Sequence, residues 1–204
     1  MKKVLSIVLI LATVLALFSS CKSGKPVQSG DYEYVVLEDK TAKITKYLGT
    51  AEIPELHLPS SIDEYTVTVI GKEAFKDVQS IKKVYTPDTL TKIEEYAFAN
   101  SSIKNAMMNR SKLITEIGAY AFSECKNLIQ VDMPVSLVTL GEYAFYYCEK
   151  LKSAQFRGDP QTIGEFAFDA CPKVVVRIKD DAIRTKQYVE LNHINFKVTD
   201  RSGK

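Results

Sequence analysis

IGAYAF, residues 117–122, is one of five near-identical hexapeptides that fill the middle of this chain. The other four are IGKEAF (70–75), IEEYAF (93–98), LGEYAF (140–145) and IGEFAF (163–168). Their Ala-Phe pairs begin at residues 74, 97, 121, 144 and 167, so successive copies lie 23, 24, 23 and 23 residues apart. A near-constant period of this length indicates stacked supersecondary units, each covering the apolar face of its neighbour. The repeats therefore predict a solenoid.

Each copy also carries a strand-like pattern after its Ala-Phe pair. In the third copy, for example, apolar residues follow at Leu128, Val131 and Met133. This LxxVxL spacing is typical of a leucine-rich-repeat strand whose alternate side chains point into the coil. Proline cannot donate to a continuing ladder, and it follows the strand pattern in three copies, at Pro59, Pro87 and Pro134.

The complete unit, IGxxAFxxCxxLxxVxxPxxLxx, resembles the BspA-like (Treponema-type) leucine-rich repeat over about residues 52–178. The resemblance implies a right-handed coil of five to six repeats, with one aromatic column formed by the Phe of each Ala-Phe pair. It implies a parallel sheet on the concave side and turns or short 3₁₀ or α segments on the convex side. It also implies a bacterial surface or secreted protein, since several members of the family are adhesins.

Both ends of the repeat array are expected to carry caps, because a terminal repeat would otherwise expose its core face. Alternating apolar residues over 31–51 predict an N-terminal β-hairpin. Members of the family that the repeats resemble often finish with a Tyr-containing helix and a short strand. The resemblance therefore implies a C-terminal cap and tail over 179–204, with a helix over Ile183–Leu191 and a strand over Phe196–Val198. Two irregularities predict local loops: five additional residues between Ile62 and Ile70, and a wider loop at 109–112 in the second repeat.

The N-terminus has the pattern of a lipoprotein signal. A charged start, an apolar run over 4–18 and the small residues Ser19 and Ser20 precede Cys21. This arrangement resembles a bacterial lipobox, which implies a signal peptide over 1–20, a lipidated Cys21 and a flexible tether over 21–30. The alternative is a plain secretory signal with an incidental cysteine.

The charge balance limits which kinds of binding partner are expected. Lys2 and Lys3 leave with the signal, so 25 of the 27 basic residues remain against 25 acidic ones. A chain without a net basic field is not expected to bind nucleic acid. We expect a monomer tethered to the membrane through its N-terminal lipid, with a protein as its partner. The segment after Cys21 (Lys22 to Lys25) lacks the acidic residues that favour outward export in some Bacteroidetes-type systems. Both orientations of the anchored protein, towards the periplasm and towards the outside, therefore remain open.

Two predicted columns of side chains are candidates for a chemical or ligand-binding role. Cys125, Cys148 and Cys171 recur every 23 residues and are expected to stack as buried, reduced thiols, with a disulfide between neighbours as the alternative. Neither histidine lies near these cysteines in sequence, so no metal site is expected. The aromatic residues two before each Phe form a second row, for which ligand binding is the less favoured interpretation: Tyr96, Tyr120, Tyr143 and Phe166.

The sequence lacks the GxSxG, HExxH, P-loop and GxGxxG motifs, so the chain is not expected to be an enzyme or to carry a cofactor. The remaining candidate is the concave sheet. Its central outward positions are His57, Tyr85, Met107, Asp132, Gln155 and Arg177. Their outward neighbours two residues earlier include Lys83, Asn105, Gln130 and Ser153.

Two function classes remain open at this stage. The first is a lipid-anchored envelope protein that binds another protein, or adheres to one, through the concave strip, with Tyr85 and Met107 as an apolar centre. The second is a structural or accessory envelope lipoprotein that supports another complex, for example in glycan or nutrient uptake.

Overall fold

A computed structural model describes residues 24–199. The expected signal peptide and Cys21 lie outside the described residues. In chain order the elements are β1 (Val27–Ser29), β2 (Tyr32–Val36), β3 (Ala42–Tyr47), β4 (Ile53–His57), β5 (Ser61–Ile62), β6 (Tyr65–Ile70), β7 (Ile81–Tyr85), β8 (Lys92–Ile93), β9 (Asn105–Met107), β10 (Glu116–Ile117), β11 (Gln130–Asp132), β12 (Thr139–Leu140), β13 (Ser153–Gln155), β14 (Thr162–Ile163), β15 (Val175–Lys179), α1 (Ile183–Leu191) and β16 (Phe196–Thr199).

The repeats form a solenoid with two sheets, which confirms the predicted fold class. The seven-stranded front sheet has the order β16-β15-β13-β11-β9-β7-β4, and all its neighbouring strands are parallel. Apart from β16, its strands are the strand segments of the repeats, and it is the sheet expected on the concave side. The nine-stranded back sheet follows the order β1-β2-β3-β6-β8-β10-β12-β14, with β5 paired to β6.

Buried residues in the front strands occupy the positions that the pattern assigns to the core. Val84, Ala106, Val131, Ala154 and Val176 lie in register across five strands, and each is at most 1% exposed. Because side chains alternate along a strand, the residues on either side of this column face away from the core. The same register therefore sets the surface considered below.

The Ala-Phe segments form turns that stack on one another through their backbones. Phe75 N–H donates to the Ala97 carbonyl at 2.7 Å, and Phe98 N–H donates to the Ala121 carbonyl at 2.7 Å. The residues two before and two after each Phe have φ between 53° and 62°. Because two left-handed residues, four positions apart, interrupt each turn, no helix propagates there, and α1 is the only helix within residues 24–199. The turns implied by the family resemblance are present, whereas the short 3₁₀ or α segments are not.

The glycine of the Ile-Gly pair is explained by close packing between coils. A Cβ at Gly118 would lie 2.7 Å from the backbone nitrogen of Glu95, and Gly141 and Gly164 approach the preceding coil in the same way. Each of these glycines follows a two-residue back strand. The repeated Ile-Gly is therefore a packing requirement and not a ligand-binding loop.

The predicted phenylalanine column forms the centre of the core. Rings of successive repeats stack with centroid distances of 4.9, 4.9, 5.4 and 5.3 Å and interplanar angles of 18° or less. None of the rings is more than 4% exposed. The column consists of Phe75, Phe98, Phe122, Phe145 and Phe168.

The N-terminal cap is the predicted hairpin of β2 and β3, extended by one strand. The Tyr47 ring stacks on Phe75 at 5.2 Å, and Tyr47 N–H donates to the Ala74 carbonyl at 2.8 Å, so the hairpin closes the first coil. The expected flexible tether over 21–30 is wrong for Val27–Ser29, which pairs antiparallel with β2. Gly30, with φ of 54°, supplies the tight turn, and the Ser29 hydroxyl donates to Asp63 at 2.7 Å.

The C-terminal cap contains the predicted helix and strand. Helix α1 begins and ends at the expected residues, and β16 pairs in parallel with β15. Asp159, in the loop before the last repeat, accepts hydrogen bonds from the backbone N–H groups of Arg184 (3.0 Å) and Thr185 (2.8 Å). This carboxylate, 25 residues earlier in the chain, holds the first turn of α1 against the last coils.

Both predicted irregular segments are present. The additional residues after Ile62 form a two-stranded hairpin of β5 and β6, whose turn contains Asp63 with φ of 52°. In the second repeat, residues 109–112 form a turn that is anchored by the buried Ser111. The Ser111 hydroxyl contacts the Thr86 hydroxyl at 2.6 Å and donates to the Pro87 carbonyl at 2.7 Å.

Candidate functional site

The front sheet brings the predicted binding residues together in two adjacent rows. Cα pairing places the central outward residues in register from strand to strand: His57, Tyr85, Met107, Asp132, Gln155 and Arg177. The second row, two residues earlier, is Glu55, Lys83, Asn105, Gln130, Ser153 and Val175. Neighbouring strands lie about 4.8 Å apart, so each row is a rigid ladder of side chains.

The N-terminal end of this surface is aromatic. The His57 and Tyr85 rings stack with a centroid distance of 4.4 Å and an interplanar angle of 6°. Lys83 Nζ lies 4.7 Å from the centroid of the Tyr85 ring and 3.3 Å from a carboxylate oxygen of Glu55. The Tyr85 hydroxyl and Glu55 together raise the pKa of Lys83, so this amine stays charged. Contacts on both the histidine and the lysine side hold the Tyr85 ring in one orientation.

Met107 continues the apolar surface on the neighbouring strand. Its side chain is half-buried, as is that of Tyr85, and the two residues are directly paired across β7 and β9. Polar or charged residues flank them: Lys83 and Asn105 in the second row, and Asp132 on the next strand. The predicted arrangement of an apolar centre beside polar groups is therefore present in this half of the sheet.

Asp132, one of the predicted outward residues, does not present a free carboxylate. Arg157 donates to both oxygens of Asp132 at 2.8 Å, and the Asp132 side chain is only 5% exposed. Its neighbour Gln155 is also nearly buried, and its side-chain amide donates to the Phe156 carbonyl at 3.2 Å. Asp132 and Gln155 thus support the sheet surface and are not open contact residues.

Arg157 is the residue that the strand pattern missed. It lies two residues beyond β13 and one residue after Phe156, the last position of the LxxVxL pattern. A usable signal was present, because Arg157 continues the outward alternation of Ser153 and Gln155. The hydrogen bonds with Asp132 raise the pKa of the Arg157 guanidinium above its ordinary value.

The second aromatic row, formed by the residues two before each Phe, is poorly suited to stacking a ligand. Tyr96, Tyr120, Tyr143 and Phe166 stack face to face at 4.8, 4.9 and 5.1 Å. Sugars and bases stack on ring faces, and here the faces between neighbouring rings are already covered. Only the terminal ring, Phe166, is substantially exposed, at 47%.

The cysteine column has the geometry of structural thiols. Each thiol donates to the carbonyl of a Phe in the previous coil, at 3.1, 3.1 and 3.0 Å for Cys125, Cys148 and Cys171. All three cysteines are free and buried. Burial raises the pKa of Cys125 to about 11 and raises that of Cys148 as well, so both stay protonated at neutral pH. A protonated, enclosed thiol is a poor nucleophile.

Within residues 24–199, no group of three or more His, Cys, Asp or Glu side chains has a geometry that could hold a metal ion. The same part of the chain has no helix with the length and apolar character needed to cross a bilayer.

Comparisons with known proteins agree with this architecture. A family model described as a BspA type leucine rich repeat region matches residues 45–175 with six copies. No curated protein matches the chain.

Three solved structures share the fold. The leucine-rich repeat protein of T. pallidum (TpLRR) is 24% identical, with 86% of this chain and 83% of that chain covered and a TM-score of 0.69. The pneumococcal vaccine antigen PcpA is 18% identical, with 79% and 51% covered and a TM-score of 0.61. A leucine-rich cell surface protein from Faecalibacterium prausnitzii A2-165 is 22% identical, with 76% and 54% covered and a TM-score of 0.52. The chain thus spans about half the length of the latter two.

The repeat period, the stacked Ala-Phe turns and the in-register front sheet all coincide with the segment that the family model matches. The chain belongs to the BspA-type leucine-rich repeat family.

Proposed function

We propose that this chain is a non-enzymatic, lipid-anchored protein of the bacterial cell envelope that binds or adheres to another protein through its front sheet. The observation that carries the proposal is the apolar pair of Tyr85 and Met107, fixed side by side on adjacent strands and flanked by polar groups. Exposed aromatic and methionine side chains are enriched at the centres of protein interfaces. Since the sheet is rigid, little conformational entropy is lost on contact.

The test begins with a site-specific photo-crosslinker at position 85 in the producing cells, with the same group at Tyr147 as control. Tyr147 is 39% exposed but lies in an Ala-Phe turn away from the front sheet. Once a crosslinked partner is identified, binding is measured with purified proteins. Tyr85→Ala is expected to weaken binding by about 1–2 kcal/mol, as for a hot-spot residue. Tyr147→Ala is expected to leave binding unchanged.

The fold must be intact for this comparison, so the melting temperature of both variants is measured alongside. A Tyr85→Ala/Met107→Ala double variant that binds the partner as tightly as the parent contradicts the proposal. That result would move the contact to the turns or to the hairpin of β5 and β6.

The anchor is proposed from the lipobox pattern that ends at Cys21. We expect mass spectrometry of the mature protein to find Cys21 as the lipidated first residue. Replacement of Cys21 by Ser is expected to release the protein from the membrane fraction while the melting temperature of the repeat domain stays the same. An unmodified Cys21, or a mature chain that starts elsewhere, contradicts this expectation.

The second candidate, an accessory envelope lipoprotein that supports another complex, differs in where the protein is displayed. Lys22 and Lys25, which lie close after Cys21, favour this candidate because they replace the acidic residues associated with outward export in some systems. Protease treatment of intact cells separates the two. Loss of the protein supports adhesion outside the cell, and protection supports an accessory role on the inner side.

A further inference from the structure

The C-terminal end of the front sheet carries an uncompensated positive charge. Arg177 and Lys179 occupy outward positions of β15, and Lys197 of β16 is paired directly with Arg177. Arg157 lies beside them as a fourth cation. The opposite end of the sheet is different, because Lys83 there is paired with Glu55.

Pairing separates these cations into two groups. Arg157 is neutralised by Asp132 in the two-pronged contact described above. Within residues 24–199, no carboxylate lies within salt-bridge distance of Arg177, Lys179 or Lys197. Asp159, 18 residues before Arg177, is occupied by Arg184 and the first turn of α1. Three positive charges on two adjacent strands therefore have no carboxylate partner among the described residues.

Arg177 is also held in a defined orientation. Its Nε donates to the Ser153 hydroxyl at 3.1 Å, and its terminal nitrogens have no acceptor among the described residues. It lines one hollow together with Gln155 and Arg157. A guanidinium fixed at one nitrogen presents its remaining donors as a planar fork, which matches the two oxygens of a carboxylate.

We infer that the Arg177, Lys179 and Lys197 cluster is the docking site for an acidic segment of the protein partner. The inference rests on the proposed function and supplies the chemistry of the partner. Three uncompensated charges are too few for the multiple phosphate contacts on which nucleic-acid binding depends, whereas they suit a few Asp or Glu side chains. Arg177 lies three strands from Met107, so the partner should present an apolar anchor and a carboxylate about 14 Å apart.

The experiment measures binding of fluorescein-labelled hexaglutamate to the full chain by fluorescence anisotropy at low and physiological ionic strength. Hexaglutamine and a labelled single-stranded oligothymidine serve as the neutral and the phosphate-bearing probes. The test variant is Arg177→Gln/Lys197→Gln. The control is Lys46→Gln/Lys126→Gln, which removes the same charge from two exposed positions, one in β3 and one directly after Cys125.

We expect hexaglutamate to bind and hexaglutamine not to bind, with affinity falling by about tenfold or more in the test variant because two charge-assisted contacts are removed. The control variant is expected to stay within about twofold of the parent. Equal weakening in both variants, or no binding of hexaglutamate, overturns the inference. Tighter binding of the oligothymidine, lost in the test variant, assigns the cluster to nucleic-acid phosphates instead and also overturns it.

These outcomes are separate from those for the proposed function. The hexaglutamate probe lacks an apolar anchor, so its binding depends on Arg177 and Lys197 and not on Tyr85. A negative result with hexaglutamate leaves the Tyr85 crosslinking result as it stands. Conversely, an unaffected Tyr85→Ala/Met107→Ala variant contradicts the proposed function without changing the hexaglutamate result.

Discussion

Left-handed residues are the least expected local feature of the chain. Each Ala-Phe turn has two of them, and most are neither glycine nor asparagine, as Glu73, Tyr120 and Tyr143 illustrate. An L-residue in this conformation costs roughly 1 kcal/mol. The turns retain it because it directs alternate N–H groups to the carbonyls of the next coil, as Tyr120 N–H does to Glu142 at 2.9 Å. These positions could not be predicted from residue type, since glycine is the usual mark of positive φ.

The conformational cost at one of these residues can be measured directly. Glu124 is exposed, has φ of 57°, and makes no side-chain hydrogen bond within the described residues. Glu124→Gly is expected to raise the free energy of unfolding by about 0.5–1 kcal/mol, because glycine adopts positive φ without strain. Glu149→Gly, at an exposed turn position without positive φ, is expected to lower it. Chemical denaturation of both variants checks the signs, and a destabilised Glu124→Gly contradicts the argument.

At the scale of elements, the C-terminal cap and the back-sheet strands differ in what could be predicted. Helix α1 and strand β16 were expected from the family resemblance, because members of that family often finish with a Tyr-containing helix and a short strand. The back-sheet strands after β6 have only two residues each, as in β10 and β12, and two residues have no period. They are strands because the stacked coils bring the same pair of residues into register, which is a property of the array.

Attachment of α1 predicts a dependence of stability on pH. Asp159 is partly buried, which disfavours its charged form, but hydrogen bonds from Thr185 and Arg184 and the charge of Arg184 outweigh this and lower its pKa. A lowered folded-state pKa contributes stability above the ordinary carboxyl pKa of about 3.9, and this stability is lost as pH falls through the folded-state value. Stability should therefore decline in acid, with α1 detaching from the last coils.

The matched variants are Asp159→Asn and Asp88→Asn. At neutral pH, Asp159→Asn is expected to cost about 1–2 kcal/mol, since the helix has no other side-chain cap at its N-terminus. It should also flatten the acid limb of a plot of unfolding free energy against pH. Asp88, an exposed aspartate, serves as the control and should leave the limb unchanged. An acid limb of the same steepness in Asp159→Asn would assign the decline to other carboxylates.

At the scale of the whole molecule, the repeat register predicted both the core and the surface, because one strand pattern fixes which side chains face in and which face out. It correctly placed Tyr85 and Met107 side by side on adjacent strands. It did not predict that the Asp132 carboxylate is paired, since that depends on Arg157, which lies on the neighbouring coil. Which side chains meet between coils depends on the length and direction of each side chain. The spacing of residues along the sequence specifies neither.

A stack in which each coil contacts only its neighbours makes a last prediction about energetic coupling. Phe98 and Phe122 stack directly at 4.9 Å, whereas Phe75 and Phe145 are separated by both of these rings. In double-mutant cycles with Phe→Leu, the adjacent pair is expected to show a coupling energy of about 0.5–1.5 kcal/mol, the value of a direct aromatic pair. The distant pair should add to within about 0.5 kcal/mol. Urea unfolding followed by both far-UV circular dichroism and tyrosine fluorescence gives the four free energies of each cycle. If the distant pair couples as strongly as the adjacent one, the core behaves as one indivisible unit, and the nearest-neighbour description of this solenoid must be given up.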